Sequence, residues 1–235
     1  MVSAVVVAGG VGKRMSIPLP KQFLEIRGKP LIFYSLRAFQ LSEATQEICL
    51  VLPAGMVDKE KHLKKVLSHL DVYQPLKLKY ITEGGPSRQQ SVLKGLRALE
   101  AKPDYVAIHD ASRPLVSTAL IDRVIKAAKQ YGAAAPVISV RDTIKRTSQG
   151  KITATVGKEG LVMVQTPQVF SYDLILEAHL LALKKGIENA FDDTYLLELL
   201  GKDVFTVEGE NSNIKLTYPS DIPMLEALLS KVCYE

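Results

Sequence analysis

The chain has 235 residues, 47% hydrophobic and 23% charged, with a formal net charge of +5. That length fits one domain, 1–235, and the composition is that of an ordered globular chain, which excludes a disordered or low-complexity protein. The cations are interleaved with acids, which argues against a nucleic-acid surface and for small anionic ligands. No apolar run reaches the roughly 18 residues of a membrane span, and two cysteines make no disulfide scaffold or metal motif.

The first element is a strand in "SAVVVAGG", running into "VVVAGGVGKRMSIPLPKQF", residues 5–23. A dinucleotide fingerprint would need a third glycine where Met15 stands. A P-loop would need a helix after its lysine, where Pro18 and Pro20 disfavour one. What remains is a permissive turn through Gly9, Gly10 and Gly12 whose backbone N–H groups can face an anion, followed by Arg14 and Lys21 on an extended loop able to wrap a polyphosphate. A tight turn with two solvated cations is the structural alternative. "EICLVLP" is the next buried strand, and Cys49 within it reads as filler.

"TEGGPSRQQSVLKG" is a second glycine turn entering a helix. Ser87 is its cap candidate, and Val92, Leu96 and Leu99 form its apolar stripe. Helix starts favour anions and polar ligands, so Ser91 can serve either a base or ribose or the turn itself. "YVAIHDASRPLV" puts His109, Asp110 and Arg113 at the carboxyl end of a strand, where open α/β sheets bind ligands. His109 reads as a packed core residue. Asp110 can serve a ribose hydroxyl, a water on Mg²⁺, or Arg113.

A further helix follows "VST" with Leu120, Val124 and Ala127 at helical spacing, and "AAAPVISV" and "VMVQTPQVF" read as strands. Between these two strands, residues 139–160, "SVRDTIKRTSQGKITATVGKEG", form a polar hairpin around Ser148-Gln149-Gly150. It has too little apolar surface to stand alone and is expected to lean on a partner subunit or on the parent domain. "NSNIKLTYPSD" places Lys215 in a short strand between Ile214 and Leu216, where it can simply point outward. Strand and helix alternate, so the expected class is α/β with a mostly parallel sheet.

Taken in order, "AGGVGKRM", "PKQF", "GGPSRQQSV", "AIHDASRP", "VRDTIKR", "QTPQVF", Asp192-Asp193 and "NIKLT" resemble the 2-C-methyl-D-erythritol 4-phosphate cytidylyltransferases of isoprenoid biosynthesis, nearly end to end. The resemblance implies a Rossmann-like sheet flanked by helices, of the nucleotide-diphospho-sugar transferase type, with a hairpin arm at 139–160. It implies transfer of CMP from CTP to the methylerythritol phosphate, with Mg²⁺ carried mainly by the CTP phosphates, in a cytoplasmic homodimer. On it, Arg14, Lys21, Lys158 and Lys215 serve catalysis, and Ala8, Gly9, Gly10, Gly12, Gly85, Ser91 and Asp110 bind CTP. Asp110, Arg113, Thr143, Lys158 and Lys215 face the acceptor.

Two departures stand out. Family members usually read "TVDR" where this chain has Thr155-Val156-Gly157-Lys158, so Lys158 replaces the arginine that a partner's arm contributes. They often read "TDD" or "TDE" where this chain has Phe191-Asp192-Asp193, which removes a hydroxyl near the acceptor. A ribitol 5-phosphate cytidylyltransferase and a non-catalytic nucleotide-binding relative are the competing readings.

Overall fold

In the computed structural model, which describes residues 1–10, 15, 20–56, 66, 68–70 and 75–230, the first apolar run forms β1 (Val2–Val7) at the centre of a sheet. It lies between β4 (Glu47–Leu52) and β6 (Tyr105–Asp110), parallel to both, and β5 (Leu78–Glu83) continues the parallel run beyond β4. On the other side, β11 (Gln168–Ser171) pairs antiparallel with β6 and with β7 (Ala133–Ser139). β12 (Phe205–Glu208) runs parallel to β7, and β10 (Val162–Val164) antiparallel to it. The sequence does not announce a small hairpin of β2 (Glu25–Ile26) and β3 (Lys29–Pro30), turned by Arg27 and Gly28 at positive φ.

The apolar runs are continuous because both faces of the central strands are buried. Along β1, Val2, Ala4 and Val6 enter one cluster, with helices α1 (Leu31–Leu41), α3 (Thr118–Tyr131) and α6 (Ile222–Leu229). Val5 and Val7 enter the other, with α2 (Arg88–Arg97), α4 (Tyr172–Lys184) and α5 (Asp193–Glu198). The expected cap is present, Ser87 Oγ accepting from Gln90 N, and Ser117 Oγ caps α3 by accepting from Leu120 N. Gly95, in the middle of α2, lets that helix lie flush on the sheet. A Cβ there would come within 2.5 Å of Val5 Cγ1 and 2.8 Å of Val51 Cγ2.

Two expectations need correcting. "VMVQTPQVF" is two strands rather than one: Gln165 N still donates to Pro136 O of β7 while its side chain exchanges bonds with the Glu210 backbone, and Pro167 then has no N–H to offer a neighbouring strand. Lys215 lies in extended chain outside any strand, although the alternation holds, since Leu216 is fully buried while Lys215 turns the other way.

The arm is a hairpin of β8 (Ile144–Ser148) and β9 (Lys151–Val156). Gln149 and Gly150 both have positive φ, the geometry that matches strand twist in two-residue turns. Its side chains are almost all exposed, as are Leu161 to Val164 beside its root.

Candidate functional site

Parallel strands end at the same edge, and the chain leaves β1 for β4 on one side but returns to β6 on the other. Such a switch point leaves a crevice at the carboxyl ends of the strands. A cleft of about 770 Å³ lies there, lined by the segments that follow β1, β4, β5 and β6 and by the start of α2.

Its floor is backbone held at close quarters. Ala8 N donates to Val51 O at 2.8 Å and Gly84 N to Leu52 O at 2.6 Å, while Gln22 Nε2 ties the loop at Lys21–Phe23 to Ala8 O at 2.6 Å. A Cβ on Gly9 or Gly84 would meet Ser91 Oγ at 2.9 or 2.7 Å, so both glycines are required by approach rather than by φ. Ala8, Gly9, Gly10, Gly85 and Ser91 all line the cleft. Ser91 itself is buried. Its hydroxyl accepts from Gly85 N at 3.0 Å and donates to Ser87 O at 2.9 Å, so it shapes the second glycine turn from within.

Four cations, Lys21, Arg88, Lys94 and Lys215, line the cleft against one carboxylate, Asp110, among the described residues. Lys21 Nζ donates to Leu216 O at 2.7 Å and Lys94 Nζ to Gly84 O at 3.0 Å. Asp110 meets Lys215 Nζ through Oδ2 at 2.6 Å and Arg88 Nε through Oδ1 at 2.8 Å, which replaces the Asp110–Arg113 pairing considered from sequence. Burial opposes its charge, but Arg88 and Lys215 outweigh burial and hold the carboxyl far below the ordinary range. His109 is a core residue, as its position suggested. It contacts Thr166 Oγ1 and Arg113 O, each at 3.1 Å, and burial pushes its imidazole down to about 4.

Arg113, Thr143 and Lys158 are not brought to this cleft. Arg113 Nη1 donates to Asn213 O at 2.8 Å and bridges towards Val164. Thr143 and Lys158 stand exposed at the root of the arm, where Lys158 Nζ donates to Arg141 O at 2.5 Å. Gly12, Arg14 and Cys233 lie outside the described residues.

Residues 2–231 match the family model of 2-C-methyl-D-erythritol 4-phosphate cytidylyltransferase, IspD. The chain belongs to this family. It is 43% identical over 232 residues to a relative of that name from Clostridium novyi, covering 97% of this chain and 96% of the relative. It is 42% identical over 231 residues to one from Clostridium botulinum, covering 98% of each. Among solved structures, the cytidylyltransferase of Thermus thermophilus superimposes with a TM-score of 0.78 at 35% identity, over 97% of this chain and 98% of that one. The 4-diphosphocytidyl-2C-methyl-D-erythritol synthase of Anaerococcus prevotii gives 0.82 at 28%, over 97% and 96%. These matches establish the mostly parallel α/β architecture expected from the strand pattern.

Within the IspD fold, one departure from the family pattern lies away from the cleft: Phe191 is 88% exposed and packs edge-on against Tyr195. Sequence reasoning missed several lining residues, Gly84, Lys94 and Arg88 among them. Gly84 was passed over for its neighbour. Lys94 carried the signal of standing one helical turn after Ser91, on the same face. Arg88 stands at the helix start, where a cation opposes the helix dipole and so calls for a local anion.

Proposed function

We propose that the cleft binds CTP and that the chain transfers its cytidylyl group to 2-C-methyl-D-erythritol 4-phosphate, giving 4-CDP-2-C-methyl-D-erythritol and pyrophosphate in isoprenoid precursor biosynthesis. The observation that carries this reading is the family match over residues 2–231, on a chain whose cleft, among the described residues, sets four cations against one carboxylate. The acceptor phosphate is itself a nucleophilic anion of about −1.5 to −2 charge at neutral pH, so the reaction needs no general base. His109, buried and titrating at about 4, is not placed to act as one.

The difficulty is bringing two polyanions together, and the cleft answers it with charge. Lys21 enters from the loop after β1 and Lys215 from the segment after β12, which Lys21 Nζ itself reaches at Leu216 O, so the reacting phosphates would lie against both. In the family pattern Arg14 joins Lys21 at the triphosphate, and the backbone of Ala8, Gly9, Gly10, Gly12 and Gly85 takes the cytidine. Mg²⁺ would enter on the triphosphate and neutralise part of its charge. Asp110 is a carboxylate that lines the cleft, and both its oxygens already face cations.

The working unit we propose is a cytoplasmic homodimer in which each arm reaches the other subunit and offers Thr143, Lys158 and, nearby, Arg113 to the acceptor. The exposed apolar side chains of Ile144, Ile152, Leu161, Val162 and Met163, on and beside the arm, support this. No helix among the described residues is long and apolar enough to cross a membrane.

The named relatives share the methylerythritol acceptor, so the ribitol reading is not favoured. Pyrophosphate release with CTP and Mg²⁺ tests this directly: turnover is expected with 2-C-methyl-D-erythritol 4-phosphate and not with ribitol 5-phosphate. The reverse preference, or silence with both, would overturn it.

A further inference from the structure

Behind the cleft lies a buried chain of charge that the proposed reaction does not use. Asp193 is 1% exposed, and its Oδ2 stands 2.8 Å from Arg88 Nη1. Arg88 in turn bonds Asp110 through Nε, and Asp110 holds Lys215. Negative and positive groups therefore alternate from the interior to the cleft: Asp193, Arg88, Asp110, Lys215.

The interior end is fixed from two sides. His179 Nε2 is 3.1 Å from Asp193 Oδ1, and Gln168 Oε1 accepts from Asp193 N at 3.1 Å. The neighbouring acid is used differently, since Asp192 caps α5 by accepting from Tyr195 N at 2.9 Å.

Stability alone does not account for this arrangement. Arg88 is the first residue of α2, where a cation faces the positive end of the helix dipole. Buried ion pairs seldom outperform well-packed apolar residues, because the desolvation of each charge offsets the attraction.

Geometry supplies a reason. A guanidinium left to itself prefers to fork both oxygens of one carboxylate. Asp193 holds Nη1 away, so Arg88 reaches Asp110 through Nε on Oδ1, and Oδ2 stays available to Lys215.

We infer that Asp193 is a positioning residue for the transfer reaction: by sharing Arg88 it reserves one oxygen of Asp110 for Lys215 and so fixes the ammonium that faces the acceptor phosphate. His179 and Gln168 hold Asp193 in turn. The inference rests on the cytidylyltransferase reading of the cleft.

The test is steady-state kinetics of full-length Asp193→Asn beside wild type. Removing the shared charge frees Arg88 to fork Asp110 and release Lys215. The acceptor KM should rise and kcat fall, together costing at least about tenfold in kcat/KM, the scale on which small misplacements act. The KM for CTP should stay within about twofold.

The effect should also vanish in a Lys215→Gln background, because a residue that acts through Lys215 has nothing left to position. Arg88→Lys keeps the charge but cannot bridge two carboxylates, and it should reproduce the acceptor-side loss if Asp193→Asn fails to fold. A lower Tm with unchanged acceptor kinetics, or a loss that persists undiminished without Lys215, would overturn the inference. Wild-type silence with the methylerythritol phosphate would instead overturn the function on which it rests.

Discussion

Lys21 and Lys215 reach the cleft from chain segments almost two hundred residues apart, and a side-chain-to-backbone bond joins the segments: Lys21 Nζ donates to Leu216 O, one residue beyond Lys215. The two ammonium groups are thus placed by one local arrangement rather than by two independent loops. Lys21→Ala should remove a donor that acts on charge developing in the transition state, lowering kcat by at least about 10²-fold. A single-turnover assay at saturating CTP would measure it, and near-normal turnover would refute a role in the chemistry. Cys49, by contrast, is a buried free thiol that burial pushes up to about 12, which fits the filler role read from its apolar run.

The second glycine turn shows what an element contributes that no single residue does. Gly9, Gly84 and Ser91 belong to three segments and meet within van der Waals contact, so the ends of β1 and β5 and the first turn of α2 are set by one another. The strands and the cap at Ser87 were legible because burial on both faces and capping leave direct patterns in sequence. The split of "VMVQTPQVF" was not, because it shows in which distant strands each piece pairs with, β10 with β7 and β11 with β6 as well as β7. The arm was legible as a hairpin from its polarity and its Gln149-Gly150 turn, but its use was not, since one chain leaves it against solvent. For the homodimer proposed above, excising residues 144–156 and closing the gap with a two-glycine turn should give a monomer by light scattering, since an isolated hairpin of this kind is at best marginal by itself. An unchanged dimer would show that the contact lies elsewhere.

At the scale of the whole molecule, stability depends on buried groups kept in one charge state, some by burial and some by their partners. His109 ordinarily titrates at 6.5 but at about 4 in the folded chain, because burial disfavours its cation. Between those values the unfolded chain binds a proton that the folded chain refuses. Stability is therefore complete above about pH 6.5 and falls as pH drops towards about 4, with a slope approaching about 1.4 kcal/mol per pH unit. Asp110 and Asp193 behave differently. Burial raises both carboxyls but Arg88 and the other partners more than reverse it, so their contribution holds above the ordinary 3.8 and is lost below it. Urea midpoints at pH 7, 5.5 and 4.5 should decline steadily, and a flat profile would contradict the burial of His109.

Much of the cleft could be read from sequence: Lys21, Gly9, Gly10, Gly85 and Asp110 stand in local motifs whose residue types suit phosphates and nucleosides. Asp193 could not, because its meaning lies in Arg88, more than a hundred positions away, and no local spacing records that contact.

Gly95 carries a consequence for anyone seeking a hardier protein. Glycine inside a helix is the usual first target for replacement by alanine, worth up to about 1 kcal/mol on intrinsic preference. Here the added methyl would be driven into Val5 and Val51. The whole helix would have to lift, and it is the helix that begins at Arg88. The least helix-favouring position in α2 is therefore one that thermostability engineering should leave alone, since the lift would be felt seven residues upstream, at the wall of the cleft.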